Sequence, residues 1–212
     1  MHISEGVLSG PVLGVGWALT IAGTALGLRR MDFDKVMTVA ILAAVFFVAT
    51  LIHVPVGPSN VHLILNGLLG VILGWAAFPA ILAGLTLQAV FFQYGGLAVL
   101  GVNTFDMAFP ALVIGLALRP FMARSAGVRG AAAFVGGFAS VLMAGLFTSA
   151  ALAFTDEGFL GAAWMILGAH VVVMVVEGFV TVFVVSFLAR VQPEILGIPA
   201  RDILTGAAAP RS

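Results

Sequence analysis

The sequence predicts an all-α integral membrane protein of about seven transmembrane helices, with the amino terminus outside and the carboxy terminus in the cytoplasm. The first observation is composition: 62% of the 212 residues are hydrophobic and 8% are charged, whereas a soluble domain has about 25% charged residues. The second is that apolar runs recur along the chain, with lengths close to the ~20 residues that a membrane-spanning helix needs. The third is that every lysine and arginine falls on one side of these alternating runs.

Seven predicted spans follow from the apolar runs and from the charged, glycine and proline residues that bound them. They lie at residues 10–28, 36–52, 62–77, 79–93, 105–122, 131–154 and 162–189. One transmembrane domain is predicted over residues 1–192, beginning with a loop at 1–9 and followed by a cytoplasmic tail at 193–212. Residues 74–79 must turn tightly between two short helices, so six helices with a re-entrant segment are the alternative.

The distribution of basic residues predicts the orientation. With the amino terminus outside, one side of the membrane receives Arg29, Arg30, Lys35, Arg119, Arg124, Arg129, Arg190, Arg201 and Arg211. Cytoplasmic loops carry an excess of Lys and Arg, so this side is predicted to be cytoplasmic. Residues 1–9 lack the basic region of a secretory signal, and we expect the first apolar run to be kept as an anchor.

The amino-terminal residues Met1 and His2 predict a metal site. The terminal amine, the backbone nitrogen of His2 and its imidazole can chelate a divalent transition metal ion, leaving one in-plane position of a square-planar ion for another imidazole. The large side chain of His2 disfavours removal of Met1. The alternative is an ordinary frayed terminus.

The remaining histidines are His53, His62 and His170. His62 is predicted to open the third span after a Pro/Gly turn and to supply the fourth donor. The alternative for His62 is a histidine that begins a helix and bonds a backbone carbonyl. His53, at the end of the second span, is interpreted as an interfacial residue.

Glu177 is interpreted as the only acidic residue deep inside a predicted span, where a carboxylate costs about 2.5–3.5 kcal/mol on insertion scales. His170 lies on the same helical face and Thr181 one turn further in, so a polar relay below the metal site is one interpretation. A hydrogen-bonded structural carboxylic acid is the other. Interhelical hydrogen bonds are expected from three further polar residues, Asn66, Gln88 and Asn103.

Small residues on the first span form two spaced sets, which let another helix approach closely in lipid. Gly14, Ala18 and Ala22 form one set, and Gly23 and Gly27 form the other. Either internal packing or a partner subunit would explain them.

Several function classes are excluded by what the sequence contains. The single lysine, Lys35, lies in Phe33-Asp34-Lys35-Val36 and cannot belong to a phosphate-binding GxxxxGK[ST] loop, so any ATP drive must come from another chain. The chain has no cysteine, which removes thiolate metal sites. An intramembrane serine protease would depend on Ser149 and His170, yet no serine lies in a GxSxG-like turn.

Several segments, in order along the chain, carry a family resemblance. The stretch MHISEGVLS at residues 1–9 and VPVGPSNVH at 54–62 resemble the cobalt/nickel substrate-capture (S) subunit of energy-coupling-factor (ECF) transporters of the CbiM/NikM type. So do GGLAVLGVN at 95–103 and the pair His170 and Glu177. The agreement runs from residue 1 to about 190.

The resemblance implies a seven-helix subunit whose amino-terminal loop tucks into the outer mouth and binds Co²⁺ or Ni²⁺ as transported substrate. The nitrogen ligands would be the Met1 amine, the His2 backbone nitrogen, and the imidazoles of His2 and His62. Hydrogen-bonding supports around them would be Ser59, Asn60 and Asn103. Ser4 stands where proline is common in the family, and the loop before His62 is one residue shorter than in some members, which leaves the roles of Ser59 and Asn60 open.

The resemblance also implies partners. These are a coupling membrane subunit, a pair of cytoplasmic ATPase subunits and often a small accessory membrane protein, in the plasma membrane of a bacterium or archaeon and in the context of cobalamin biosynthesis. The chain itself would be neither an enzyme nor a cofactor carrier. A proton-coupled secondary metal transporter using His170 and Glu177 is the alternative, and the sequence does not choose between cobalt and nickel.

Overall fold

The computed structural model describes residues 3–56 and 59–198, with the backbone alone for 53–56 and 59–61. Seven α-helices and one β-hairpin make up its main elements. The helices are α1 Gly10–Arg30, α2 Val36–Ala49, α3 Asn66–Leu73, α4 Ala77–Phe92, α5 Leu100–Met122, α6 Ala126–Thr155 and α7 Leu160–Val191. The strands β1 His53–Val56 and β2 Ser59–His62 pair antiparallel, with His53 opposite His62.

The molecule is a multi-pass helical membrane protein. Five segments of the described chain are long and apolar enough to cross a membrane, namely Gly10–Arg30, Asn66–Phe92, Leu100–Met122, Ala126–Thr155 and Glu157–Val191. Helix α2 has 14 residues and α3 has 8, which gives α3 a length of about 12 Å against a hydrocarbon core of about 30 Å. Seven crossings and an outside amino terminus therefore stay predictions.

The segment between α2 and α3 differs from the predicted spans. Helix α2 ends at Ala49 rather than near residue 52, a hairpin follows, and α3 begins only at Asn66. Valine favours strands, and proline is tolerated at the edge of a sheet, where its position need not donate a backbone hydrogen bond. Both strands of this hairpin are edges. His62 consequently ends a strand, and the prediction that it opens a helix is wrong.

The helix termini gather at two ends of the bundle. At the amino-terminal end, the loop of residues 3–9 meets residues 93–99, since the Glu5 N–H donates to the Gly95 carbonyl. At the opposite, basic end, the Arg30 guanidinium lies 4.3 Å from the centroid of the Trp75 ring. A cavity of about 440 Å³ there is lined in part by Lys35 and Arg119.

Helix α3 and its connection to α4 form the reversal that was predicted at residues 74–79. Helix α3 runs from the bundle centre to the basic end, where Gly74 adopts a positive φ of 54° and the 3₁₀ turn Gly74–Ala76 follows. Helix α4 then returns towards the amino-terminal end. The hairpin and α3 together therefore take the place of one continuous span.

Glycines permit the close helix packing around α3. A Cβ on Gly70 would collide with the backbone of Ala111 on α5, and one on Gly67 would lie 2.8 Å from the Cα of Gly137 on α6. The hydrophobic effect does not drive helix association in lipid. Van der Waals contacts between backbones, which small residues permit, stabilise the association instead.

Helix α1 has two different faces. Gly16, Thr20, Gly23 and Gly27 are buried, and a Cβ on Gly27 would lie 2.6 Å from the carbonyl oxygen of Trp75 and 2.8 Å from Cδ of Pro79. Gly14, Ala18 and Ala22 are exposed on the described structure. Gly23 and Gly27 therefore serve internal packing, and the set at residues 14, 18 and 22 does not.

The chain continues to pack against the bundle after α7. Pro193–Leu196 forms a 3₁₀ turn, and the side chains of Leu196 and Ile198 contact a cluster that includes Val71 and Met122. Residues 199–212 lie outside the described part of the chain. A transmembrane domain ending at 192 with a cytoplasmic tail stays a prediction.

The two faces of α1 predict opposite effects of one substitution. Gly27→Ala should lower the stability of the protein by about 1–3 kcal/mol, the usual cost of overpacking, because the new methyl group meets a backbone oxygen. Gly14→Ala should leave stability unchanged or raised, because nothing lies within 4 Å of the added Cβ and alanine favours helix. Thermal unfolding in detergent measures both, and equal effects would contradict this packing.

Candidate metal site at the amino-terminal end

The loop of residues 3–9 is fastened to α5 by one side-chain amide. The Ile3 N–H donates to Oδ1 of Asn103 at 3.0 Å, and Nδ2 of Asn103 donates to the Ile3 carbonyl at 3.1 Å. An amide side chain has one acceptor and one donor group suited to this pairing. Asn103 was predicted to form an interhelical hydrogen bond, and the structure instead pairs it with the residue that follows His2.

A second attachment holds Glu5 against the loop between α4 and α5. The Glu5 N–H donates to the Gly95 carbonyl at 2.7 Å, and the Ala98 N–H donates to Oε1 of Glu5 at 3.0 Å. Gly96 has a φ of +119°, and a Cβ there would collide with Oε2 of Glu5 and lie 2.8 Å from its Cβ. Glycine is needed at this position for both conformation and space.

Apolar contacts complete the anchoring of the loop. Ile3 and Leu8 are buried in a cluster with Val99, which precedes α5, with Val102 of α5 and with Leu152 of α6. The Ser9 N–H approaches the Thr155 hydroxyl at 3.3 Å. Residues 3–9 are thus part of the packed bundle rather than a frayed terminus.

His62 lies at the end of β2 with 7% of its surface exposed. Its Nδ1 is 3.0 Å from the Leu63 carbonyl oxygen. Because a carbonyl only accepts, this contact places a proton on Nδ1. In the neutral imidazole, Nε2 is then the nitrogen suited to ligate a metal. His53 is the Cα partner of His62 across the hairpin, and its side chain lies outside the described part.

The turn after His62 is supported by Glu177 of α7. Oε1 of Glu177 accepts the N–H groups of Ile64 and of Leu65, the latter at 2.8 Å. Leu65 has a φ of 54°, a conformation that costs a non-glycine residue energy unless its surroundings hold it. Glu177 is fully buried and thereby sets the path of the chain between His62 and α3.

Asn66 holds the same turn from the other side. Its Nδ2 donates to the carbonyls of Met107 at 3.4 Å and Ser140 at 3.2 Å. These bonds join the start of α3 to α5 and α6, so the predicted interhelical role of Asn66 is confirmed. The predicted role of Gln88 is confirmed as well, since its Nε2 donates to the Thr50 hydroxyl at the end of α2.

The polar residues proposed as a relay are not joined in the described structure. Nδ1 of His170 lies 2.7 Å from the Ile166 carbonyl of its own helix, and Oε1 of Glu177 accepts backbone N–H groups instead. Oε2 of Glu177 and the Thr181 hydroxyl are buried without a hydrogen-bond partner among the described residues. Glu177 consequently has a structural contact that explains its burial.

Asp106 is a buried carboxylate that sequence reasoning missed. It is 4% exposed, and its Oδ2 accepts a hydrogen bond from the Thr148 hydroxyl at 3.1 Å. The predicted span began at residue 105, which placed Asp106 at a helix end, whereas α5 begins at Leu100. The interpretation of Glu177 as the only acidic residue deep inside a span is therefore wrong. The apolar run Leu97-Ala98-Val99-Leu100 was the available signal.

The complete predicted ligand set extends beyond the described residues. Met1 and His2 lie outside them, as do the side chains of Ser59 and Asn60. Within the part of the chain that the structure describes, no group of three or more His, Asp or Glu residues could hold a metal ion. The assignments of Met1, His2 and His62 as ligands, and of Ser59 and Asn60 as supports, therefore stay predictions.

The family follows from comparison with known proteins. The profile of the CbiM family, described as the cobalt uptake substrate-specific transmembrane region, matches residues 2–195. The chain belongs to this family. Members of the family that resemble it are named as transport proteins, and cobalt and nickel both occur in those names.

Three relatives illustrate the range of names, identities and coverages. A protein of Haemophilus influenzae with a provisional name as a metal transport protein is 42% identical over 205 residues, covering 92% of this chain and 97% of that protein. A cobalt transport protein CbiM of Sorangium cellulosum is 30% identical, covering 92% and 94%. A fused nickel transport protein NikMN of Rhodobacter capsulatus is 35% identical, covering 72% of this chain and 44% of that protein.

Solved structures share the fold. A crystal structure of a transition metal transporter superposes with a TM-score of 0.77 at 29% identity, covering 91% of this chain and 94% of that one. A truncated transition metal transporter gives a TM-score of 0.74 at 30% identity, covering 89% and 98%. The arrangement of helices is therefore a membrane transporter fold.

The pairing of Asn103 with Ile3 predicts a local effect of substitution. Asn103→Ala removes two hydrogen bonds, worth about 1–3 kcal/mol together, and should free residues 3–9 while α1 to α7 stay folded. Amide hydrogen exchange measures this as about tenfold or faster exchange confined to residues 3–9. Ser149→Ala, which removes a side-chain bond to the Ala163 carbonyl, is the control and should leave exchange in this loop unchanged. Equal protection in both variants would contradict the anchoring role of Asn103.

Proposed function

We infer that the chain is the Co²⁺/Ni²⁺ capture subunit of an ATP-driven metal importer of the energy-coupling-factor type. The observation that supports this best is the pairing of the Asn103 amide with both backbone groups of Ile3. It fixes the residue next to His2 within the mouth of a bundle whose His62 has its lone pair on Nε2. The family and the names of its members indicate cobalt and nickel as the transported ions.

The proposed ligands are the Met1 amine, the His2 backbone nitrogen, and the imidazoles of His2 and His62. Four nitrogens in a plane suit Ni²⁺ and low-spin Co²⁺, and Cu²⁺ binds such sets at least as strongly. Selection in the cell would then rest on geometry and on metal availability. Glu177 and Asn66 would support the site by fixing the turn that follows His62.

His62→Ala tests the imidazole assignment. Loss of one of the proposed donors should weaken Ni²⁺ and Co²⁺ binding by more than about a hundredfold, the upper range for loss of a merely supporting residue. Stability of the metal-free protein should stay close to wild type, because His62 lies at the mouth and not among the close-packed glycines. Calorimetric titration in detergent measures the affinity.

His53→Ala is the matched control for this titration, since His53 pairs with His62 across the hairpin. It should bind metal within a few-fold of wild type. A larger loss from His53→Ala than from His62→Ala would transfer the ligand role to His53.

Extension of the amino terminus tests the amine. Gly-Ser added before Met1 converts the amine into an amide nitrogen, a poorer donor, and its chain must pass through the packed mouth. We expect Ni²⁺ binding to be lost. Gly-Ser added after Ser212 is the control of equal length and should be tolerated. Equal affinity of the two extended proteins, measured by titration without a polyhistidine tag, would exclude the amine as a ligand.

We further propose seven crossings, with the basic end in the cytoplasm of a bacterial or archaeal cell. All seven Lys and Arg residues of the described chain lie in or beside helix termini at that end, at Arg29, Arg30, Lys35, Arg119, Arg124, Arg129 and Arg190. The positive-inside rule places such residues in the cytoplasm. The hairpin with α3 would supply the third crossing in two halves.

The proposed partners are a coupling membrane subunit, cytoplasmic ATPase subunits and a small accessory membrane protein. Two observations support them: the chain carries no phosphate-binding loop, and the family is described as the substrate-specific region of cobalt uptake. The exposed set Gly14, Ala18 and Ala22 on α1 is the proposed contact for the coupling subunit, because small residues that serve no internal packing admit another helix closely.

A further inference from the structure

Asp106 lies in the layer of the bundle directly beneath the amino-terminal loop. It follows Asn103 by three positions, which places both on one face of α5 about 4.5 Å apart along the axis. Its partner Thr148 lies on α6 one turn below Ala151 and Leu152, which belong to the same apolar cluster as Ile3 and Leu8. The neighbouring Met107 accepts a hydrogen bond from Asn66 at the start of α3. Asp106 thus sits between the anchored loop and the turn that follows His62.

The Asp106 carboxylate lacks a counter-charge in the described structure. Its Oδ2 receives one neutral hydroxyl bond, and no described residue donates to Oδ1. Every described lysine and arginine lies at the basic end, and the described salt bridge joins Lys35 to Asp32 there. A carboxylate buried with so little compensation is costly unless it takes up a proton or a cation comes near it.

Glu177, the other buried carboxylate of this region, is compensated differently. Its Oε1 accepts two backbone N–H groups, and charge-assisted bonds of this kind offset burial. Removal of Glu177 would also release the turn at Leu65. Asp106 accepts no such hydrogen bonds from the backbone of a turn in the described structure, so the presence of its charge needs another explanation.

We propose that the Asp106 carboxylate balances the charge of the captured divalent cation from beneath the mouth. This inference rests on the proposed function. Neutral amines and imidazoles donate electron pairs without cancelling charge, and a coordinated backbone nitrogen, which loses its proton, cancels only one charge. A dication held by the proposed nitrogens therefore keeps a net positive charge after binding. In a medium of low dielectric constant, a carboxylate one layer below lowers the energy of that charge considerably. Asp106 is a positioning charge for the cation and need not touch it.

The experiment compares Asp106→Asn with wild type in two measurements on the full chain with its native start. The amide side chain keeps size and can still accept from Thr148, but it removes the charge. Ni²⁺ and Co²⁺ dissociation constants should rise by about tenfold or more. The thermal midpoint of the metal-free protein should stay unchanged or rise, because an uncompensated buried charge has been removed.

Three further variants separate the effect of the Asp106 charge from that of its hydrogen bond and from that of a distant surface charge. Thr148→Val removes the bond to Asp106 and keeps the carboxylate, so it should bind metal within a few-fold of wild type. Glu157→Gln removes a charge from the exposed surface at the same end, where solvent screens it, and should also bind within a few-fold of wild type. Asp106→Glu, which retains the charge, should recover most of the affinity lost in Asp106→Asn.

The outcomes separate this inference from the proposed function. Wild-type affinity in Asp106→Asn would overturn the inference, as would an equal loss in Thr148→Val. A lowered thermal midpoint or loss of folded protein in Asp106→Asn would show a structural role and overturn it too. If wild type itself binds neither metal, the proposed function fails together with the inference, whereas binding by wild type with an unaffected Asp106→Asn contradicts the inference alone.

Discussion

Lipid offers no hydrogen-bond partner to a backbone amide, so any part of a bundle that leaves helical geometry must find partners inside the protein. The Glu177 carboxylate meets this constraint for Ile64 and Leu65. It accepts the N–H of Leu65, the N-cap of α3, as the glutamate of a capping box accepts the N-cap N–H, except that Glu177 belongs to a different helix. Without it, α3 could not begin at the centre of the bundle, and the hairpin carrying His62 would lose its support.

The loop of residues 3–9 and the turn after His62 are held by independent groups. Asn103 and Glu5 fasten the loop to α5 and to the segment before it, while Glu177 and Asn66 fasten the turn to α7, α5 and α6. Most of these contacts involve backbone atoms, which fixes the path of the chain whatever the side chains at its surface. The fold thus leaves little freedom to either of these two segments, which come from distant parts of the sequence.

The parts of this architecture that contiguous sequence determines could be predicted. The apolar runs predict the positions of the helices. The short loops between these runs predict that the Lys and Arg residues gather at one end of the bundle. The hairpin could not, because an apolar stretch containing His53 and His62 has no periodicity that distinguishes a strand from a buried helix. Asp106 was misjudged because the start of α5 was placed five residues late. The pairing of Asn103 with Ile3 joins residues 100 apart in the sequence, which no local pattern records.

The two faces of α1 place different limits on the size of the side chains that related sequences can carry there. On the buried face, the Trp75 carbonyl and the Pro79 ring leave no volume for any side chain at Gly27. On the open face, the isolated subunit imposes no limit on size at residues 14, 18 and 22. Sequence variation among relatives can therefore be divided: restriction at residue 27 records folding of the subunit, whereas restriction to small residues on the open face would record selection acting on an assembly of several chains.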